Sequence, residues 1–203
     1  MIDLLVVVAD GYQEKLMDSL LERVPLASQT RDFSYFIVKN PGKDPGSLND
    51  SHELLRPFIN QYSRALVIFD FEGCGAENLS RAEIEAKVLE LLERNGWEGN
   101  SCVVVIEPEL ENWVWIDNPN VEEAIGWEKS ESLYQWARRE GLIADGESKP
   151  FRPKEAFEEA LRISDTPTSA SIYKKIAEKV SYKGCTDLAF LKLINQLQVW
   201  FPK

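Results

Sequence analysis

Several common protein classes are excluded by what this chain holds little of. It has three cysteines, Cys74, Cys102 and Cys185, an odd number without close C-x-x-C spacing, and one histidine, His52. That usage argues against a secreted disulfide framework and predicts a reducing, cytoplasmic setting. No stretch reaches the roughly 18 consecutive apolar residues of a membrane helix. The opening Ile2-Asp3-Leu4-Leu5-Val6-Val7-Val8-Ala9-Asp10 is broken by Asp3, stopped by Asp10 and lacks a basic leader, so it reads as a strand and not as a signal peptide. Neither G-x-x-x-x-G-K-[ST] nor a G-x-G-x-x-G following a strand occurs. Gly73-Cys74-Gly75 is too short and too acidic to cradle phosphate.

Positive charge is also scarce. Against 34 Asp and Glu stand 23 Lys and Arg, a net charge of −11. A general nucleic-acid coat is therefore not expected, because phosphate binding needs Lys and Arg to release counterions. The distribution is uneven: residues 1–128 hold 10 basic and 24 acidic side chains, residues 129–203 hold 13 and 10. The second part offers the more favourable surface to a phosphate-bearing partner, a nucleic acid included, although solvated surfaces alone explain the same asymmetry. Lys174, Lys175, Lys179 and Lys183 form a stripe on one predicted helix, read first as a wet face.

The 44% of hydrophobic residues supply a core without staples. Four apolar segments, 2–9, 34–38, 65–69 and 101–106, read as strands. They are apolar on consecutive positions instead of alternating, which suits strands covered on both faces of a parallel sheet. Helical patterns separate them. Residues 14–24 carry Leu16, Leu20, Leu21 and Val24 on one face. Residues 51–62 form a weaker helix that Pro57 kinks or shortens. Ser80-Arg81-Ala82-Glu83 is a capping box at the head of a third helix, with Leu79 and Ile84 placed as a hydrophobic staple and Gly96 as its end.

After residue 108 the strand signal stops. Helices are predicted at 109–115, 121–125, 132–140, 154–163, 171–180 and 187–201, with Pro153 suited to a first turn and 144–150 a loop. The expected architecture is α/β, a small, mostly parallel four-stranded sheet of Rossmann-like type followed by an all-helical C-terminal part. The division falls at 1–117 and 118–203, the second packed on the first as one unit. The six tryptophans read as core or interface anchors, Trp113 and Trp115 packing the segment after the fourth strand against the sheet.

Three predicted strands run into carboxylates: Asp10-Gly11 after the first, Asp70-Phe71-Glu72-Gly73 after the third, and Glu107-Pro108-Glu109-Leu110-Glu111 after the fourth. In an open α/β sheet, ligands bind outside the carboxyl ends of the strands, near the point where strand order reverses. Neighbouring strands would bring up to six carboxylates together there. Like charges in a partly desolvated site cost several kcal/mol and persist with a compensating cation or with raised pKa values. An all-oxygen set selects a hard ion, Mg²⁺ or Mn²⁺, able to bridge a phosphate and activate water for phosphodiester cleavage. Gly11 and Gly73 would let backbone approach a ligand. The competing explanation is local: an acidic residue after a strand often caps the next helix. His52 has no nucleophile placed beside it, and Cys74, in acidic surroundings, reads as a packing residue.

At these residues the chain resembles the Toprim-like proteins found among prokaryotic defence genes, a group that includes a component of the methylation-associated anti-phage systems. The Toprim pattern sets a glutamate after strand one and Asp-x-Asp after strand three, together holding Mg²⁺. The matching positions here are Asp10, and Asp70 with Glu72. Glu109-Leu110-Glu111-Asn112-Trp113 is similar to the Glu-x-Glu-x-Trp signature of the divergent group. The resemblance covers roughly residues 1–117. It implies a cytoplasmic antiviral component, with Asp10, Asp70, Glu72 and Glu109 as metal ligands, Glu107 and Glu111 as further ligands or a general base, and other defence proteins as partners. Two positions depart from the pattern: Asp10 is one methylene shorter than the family's Glu, and Glu72 one longer than its Asp. Mg²⁺ tolerates little distortion, so two expectations stand side by side, a metal-dependent nuclease-type hydrolase and a non-catalytic, partner-binding subunit with a degenerate site.

Overall fold

The strands' apolar runs are explained by what covers them. In the computed structural model, which describes residues 1–181 and 184–203, alternate residues of each strand enter two separate cores. Leu4, Val6, Val8, Leu66, Ile68, Cys102, Val104 and Ile106 face one way; Leu5, Val7, Ala9, Ala65, Val67, Phe69, Val103 and Val105 face the other. Successive side chains of a strand point to opposite faces, so a strand buried on both must be apolar throughout.

The elements follow in the order β1 (Ile2–Val8), α1 (Gly11–Ala27), β2 (Tyr35–Lys39), α2 (Lys43–Asn49), α3 (Ser51–Leu55), β3 (Tyr62–Asp70), α4 (Arg81–Leu92), β4 (Ser101–Ile106), and then α5 (Glu111–Val114), α6 (Pro119–Ile125), α7 (Leu133–Arg139), α8 (Pro153–Ile163), α9 (Ala170–Lys179) and α10 (Leu188–Trp200). The sheet is entirely parallel, in the order β2-β1-β3-β4. Helices α2 to α4 cover one face. Helix α1 covers the other, joined there by α9, α10 and the rest of the C-terminal helices in one continuous core. Among the described residues, no helix is long and apolar enough to cross a membrane.

Helix α4 begins with the expected capping box: Ser80 accepts from the Glu83 N–H, and Glu83 Oε2 accepts from the Ser80 N–H at 2.8 Å. The chain unwinds beyond Leu92 and turns at Gly96, whose φ is +97°. That left-handed backbone is what favours glycine there; a Cβ would meet only the tip of Ile59, Cδ1 at 2.8 Å, which can move aside. Glu85 of α4 is buried. Its Oε1 accepts from the Val105 N–H on edge strand β4 and its Oε2 from Lys192 of α10, which blocks that edge against further pairing.

Three segments differ from expectation. Residues 51–62 are not one helix: α3 stops at Leu55, a single tight turn holds Arg56–Phe58 around Pro57, and Tyr62 already belongs to β3. The proline cannot donate the hydrogen bond that would continue α3. Residues 109–115 yield only the short α5. Trp113 and Trp115 share the core of the sheet's α1-covered face, as expected, and also anchor C-terminal elements. The Trp113 indole N–H donates to Asp187 and its ring meets Phe190 edge-on, while the Trp115 N–H donates to the Pro153 carbonyl at 2.8 Å. On the lysine stripe, Lys174 pairs with Glu178 and Lys179 with Glu123; Lys183 lies outside the described residues.

Asp187 holds three groups at once: the Phe190 N–H at the head of α10, the Trp113 indole and the Asn112 amide. Replacing it with Ala leaves a buried indole N–H unsatisfied and an uncapped helix. Thermal unfolding of Asp187→Ala should show a loss of about 2 kcal/mol, roughly 4–8 °C in Tm, against about 1 kcal/mol for Ser80→Ala, which removes a cap alone.

Candidate functional site

Strand order settles where the acidic tips meet. The chain runs from β1 outward to β2, then returns to place β3 on the other side of β1, so order reverses between β1 and β3. Val7 and Val67 are register partners, and Asp10 and Asp70 follow each by three residues. Asp70 is itself paired with Ile106 of β4, and the pairing continues past the strand ends, the Glu72 N–H donating to the Pro108 carbonyl at 2.9 Å. The carboxyl edges of β1, β3 and β4 therefore adjoin at the switch point, where such sheets bind ligands.

Each acidic group there is held by the chain. Asp10 caps α1, its Oδ1 accepting from the Tyr12 and Gln13 N–H groups at 2.8 and 2.9 Å. Gln13 is buried in the first turn of α1. Its Oε1 accepts from the Ala9 N–H, and its Nε2 donates across the switch point to Asp70 Oδ1, both at 2.9 Å. Asp44, in the first turn of α2, accepts from the Asp70 N–H through Oδ1. From β4's side come Glu109 and Glu111, both buried. Glu109 Oε1 accepts from the Lys154 N–H at the head of α8, and Glu111 Oε1 accepts at 2.5 Å from the Tyr173 hydroxyl of α9. Tyr173 in turn stacks on Tyr12 at 5.0 Å.

The electrostatics show that these carboxyl groups share a space. Burial, then the charges of Asp44 and Glu111, push Asp70 well above the usual carboxylate range, with Asp10 adding to them and the Leu110 backbone opposing. Asp44 is raised by burial and by Asp10, against the hydrogen bond from the Asp70 backbone. Glu109 is pushed up to about 7 by burial and Glu111, with a contribution from Glu72; the Lys154 backbone and charge work against the rise. Burial also raises Glu111, which the Tyr173 hydroxyl pulls back down. Lys154 shows the mirror image. Burial lowers it, but Glu111, Glu109, Glu158 and Asp70 outweigh that and raise it. Carboxylates crowded and desolvated without an equal number of cations respond in this way.

Of the six residues singled out in the sequence, Asp10, Asp70, Glu109 and Glu111 come together. Glu72 is exposed at the rim, its charge still acting on Glu109. Glu107 is exposed too, and its backbone carbonyl accepts from the Asn112 amide. Gly73 has a φ of +84°, while Gly11 opens α1 with ordinary dihedrals and open space around it. Cys74 is fully buried, its thiol raised by burial, and packs in the core. Sequence reasoning missed Asp44, Gln13, Lys154 and Tyr173. A polar Gln on the otherwise buried face of α1 was the one visible signal; the other three reach the site only through tertiary packing.

Fold and site together define a parallel α/β protein with a carboxylate cluster at its switch point. Comparison of the chain with family models, with curated proteins and with solved structures finds no match. Among the described residues, no three His, Cys, Asp or Glu side chains already stand as a ready-made metal-ligand set. The donor chemistry nonetheless fits a hard cation: oxygens only, buried, and driven toward protonation by one another. The hydrogen bonds on Asp10 engage its Oδ1 and that on Glu109 its Oε1, and a carboxylate has two oxygens.

The raised carboxyls make stability fall with pH. For an acid whose folded pKa lies above its unfolded value, stability is fully present below the unfolded pKa and is lost as pH rises through the folded one; for Glu109 the window runs from about 4.5 to about 7. Glu109→Gln keeps the acceptor for the Lys154 N–H and removes the charge. In metal-free buffer the variant should melt level with the parent near pH 4.5 and above it at pH 8. The gain should be about 1–2 kcal/mol after solvent screening, a few degrees in Tm. Equal melting points across that range would show that Glu109 carries no such burden.

Proposed function

We propose that the switch-point carboxylates bind a divalent hard cation, Mg²⁺ or Mn²⁺, and that the chain processes phosphodiesters there as a component of a prokaryotic antiviral defence system. One observation carries the reading: carboxyl groups from α2, β3 and the segment after β4 are crowded, desolvated and raised, the charge of Asp10 after β1 adding to the rise of Asp44, Asp70 and Glu111, which is the state a cation would relieve. Asp10, Asp70 and Glu109 would hold the ion, with Asp44 in place of the more exposed Glu72 as a further oxygen donor. Bound there, it would polarise a phosphoryl oxygen and lower the pKa of water. The remaining work falls to the chain. Gln13 fixes the orientation of Asp70. Glu109, pushed up to about 7 in the metal-free site, would give up its proton on coordination, and Glu111 beside it stands as a further ligand or base. Lys154, cationic and exposed at the head of α8, suits contact with an anionic backbone, and the more basic C-terminal part extends that surface toward a nucleic acid. The tie to defence rests on the resemblance of Asp10, Asp70, Glu72 and the Glu109-to-Trp113 signature to Toprim-like proteins.

A second reading has its own observation. Asp10 is already engaged as the cap of a 17-residue helix, the local use expected of an acidic residue after a strand. In that reading the fold is retained for binding another defence protein, and no ion is held.

Calorimetry separates the two. Titrating Mn²⁺ into the protein at pH 6.5, in two buffers of different ionisation enthalpy, should show binding accompanied by proton release, since ligands must ionise to coordinate. Affinity should rise from pH 5.5 to pH 8. Asp70→Asn should weaken it by at least about tenfold, close to 1.4 kcal/mol, and abolish Mn²⁺-dependent cleavage of single- and double-stranded nucleic acid. Absence of binding at millimolar Mn²⁺ would leave the partner-binding reading.

A further inference from the structure

A second feature lies beyond the carboxylates. A cavity of about 560 Å³ opens between α5, α7, the head of α10 and the segments 148–149 and 184–186. None of the switch-point carboxylates lines it. Among the described residues its aromatic wall is Trp113, Trp115, Tyr134 and Phe190, and its cations are Arg138 and Lys149.

The wall is built before any ligand arrives. Both indole N–H groups are already satisfied, by Asp187 and by the Pro153 carbonyl, so the rings are fixed with their polar edges occupied. Phe190 meets Trp113 edge-on at 5.2 Å, and Tyr134 meets Trp115 at 5.8 Å. Trp113, Trp115 and Phe190 are themselves buried and fix the wall from within, while half-buried Tyr134 is the ring a planar, apolar body can meet.

The cations are held equally firmly, and by neutral groups. Arg138 donates to the carbonyls of Ala144 and Glu147, and Lys149 to that of Asn112 at 2.5 Å. In a chain this acidic, neither has a carboxylate at ion-pair distance among the described residues. Asp187, whose charge reaches Lys149, has both oxygens taken up by Asn112, Trp113 and Phe190. Two positive charges without an ion-pair partner among the described residues, beside an aromatic ring, match an anion joined to a planar ring. Asp117, exposed on the same lining, supplies an acceptor suited to sugar hydroxyls.

We propose that this cavity is a binding site for a nucleoside monophosphate, with the base against the half-buried Tyr134, the phosphate on Lys149 and Arg138, and the ribose hydroxyls toward Asp117. The volume lies within the range of small-ligand sites. The site is independent of the carboxylate cluster and needs no metal.

Its test is therefore run in EDTA, which separates it from the cation reading. AMP, GMP, CMP and UMP are titrated calorimetrically into the full chain, with adenosine and inorganic phosphate as the two half-ligands. At least one nucleotide should bind at submillimolar concentration, with each half-ligand about tenfold weaker or more. Lys149→Gln and Arg138→Gln should each cost about tenfold. Arg138 also holds the 144–147 turn, so Lys149→Gln decides the matter if the other variant fails to fold. Cys185 reports location: it lines the cavity half-buried, whereas Cys74 and Cys102 are buried. Saturating nucleotide should slow its alkylation severalfold by mass spectrometry. The site is refuted by no binding of any of the four at millimolar concentration, by adenosine binding as tightly as AMP, by undiminished affinity in Lys149→Gln, or by an unprotected Cys185.

Discussion

Burying a carboxylate without a cation beside it costs several kcal/mol, and this fold does so with Asp44, Asp70, Glu109 and Glu111 in one place. The sheet makes that unavoidable. With β1, β3 and β4 buried on both faces, polar side chains can enter only where the strands end, and three of the four strands end beside one another. What prevents the cluster from flying apart is a set of donors fixed in advance: the Gln13 amide on Asp70, the Lys154 N–H on Glu109, the Tyr173 hydroxyl on Glu111. These bonds orient the oxygens but do not neutralise them. Lys154 brings a full positive charge to bear on Glu111, Glu109 and Asp70 together. The deficit that is left is the physical basis for expecting a cation.

Asp10 shows how folding and function compete for one side chain. As the N-cap of α1 it satisfies two backbone N–H groups. From that position its charge raises Asp44 and Asp70. The shorter side chain is part of the arrangement. A cap must reach back to the N–H groups two and three residues on, which Asp does readily and Glu, one methylene longer, seldom does. The departure from the Toprim pattern thus has a structural cause of its own, whatever it does to a ligand.

Where a signal was local, the sequence could be read closely. Ser101–Ile106 is an unbroken β-branched and apolar run, and it is the strand observed. The box at Ser80 needs only Glu83 three residues on, and both bonds form. In residues 51–62 Leu54, Leu55, Phe58 and Ile59 straddle Pro57, and the shortening expected of the proline ends α3 at Leu55, leaving the periodic pattern beyond it without a helix. The site divides in the same way. Asp10, Asp70, Glu109 and Glu111 were visible because strand ends can be counted along the chain. Asp44 was not, since its place depends on α2 folding back toward β3. Lys154 and Tyr173 lie some 45 and 62 positions beyond the carboxylates they bond, and no periodicity spans such a separation.

That separation bears on what the C-terminal helices are for. Were they only a cover for apolar surface, their contacts with the acidic edge would be incidental. Instead α8 presents its first turn to Glu109 and α9 its one tyrosine to Glu111, and Tyr173 rests on Tyr12, whose own N–H is held by Asp10. The strands and α2 contribute negative charge; the C-terminal helices contribute the donors and the lysine that keep it in order. Helix α5 joins the two, with Glu111 directed to the carboxylates and Trp113 to α10. The uneven charge along the chain follows from the same division: the acidic part builds an anionic edge, and the more basic part is folded against it.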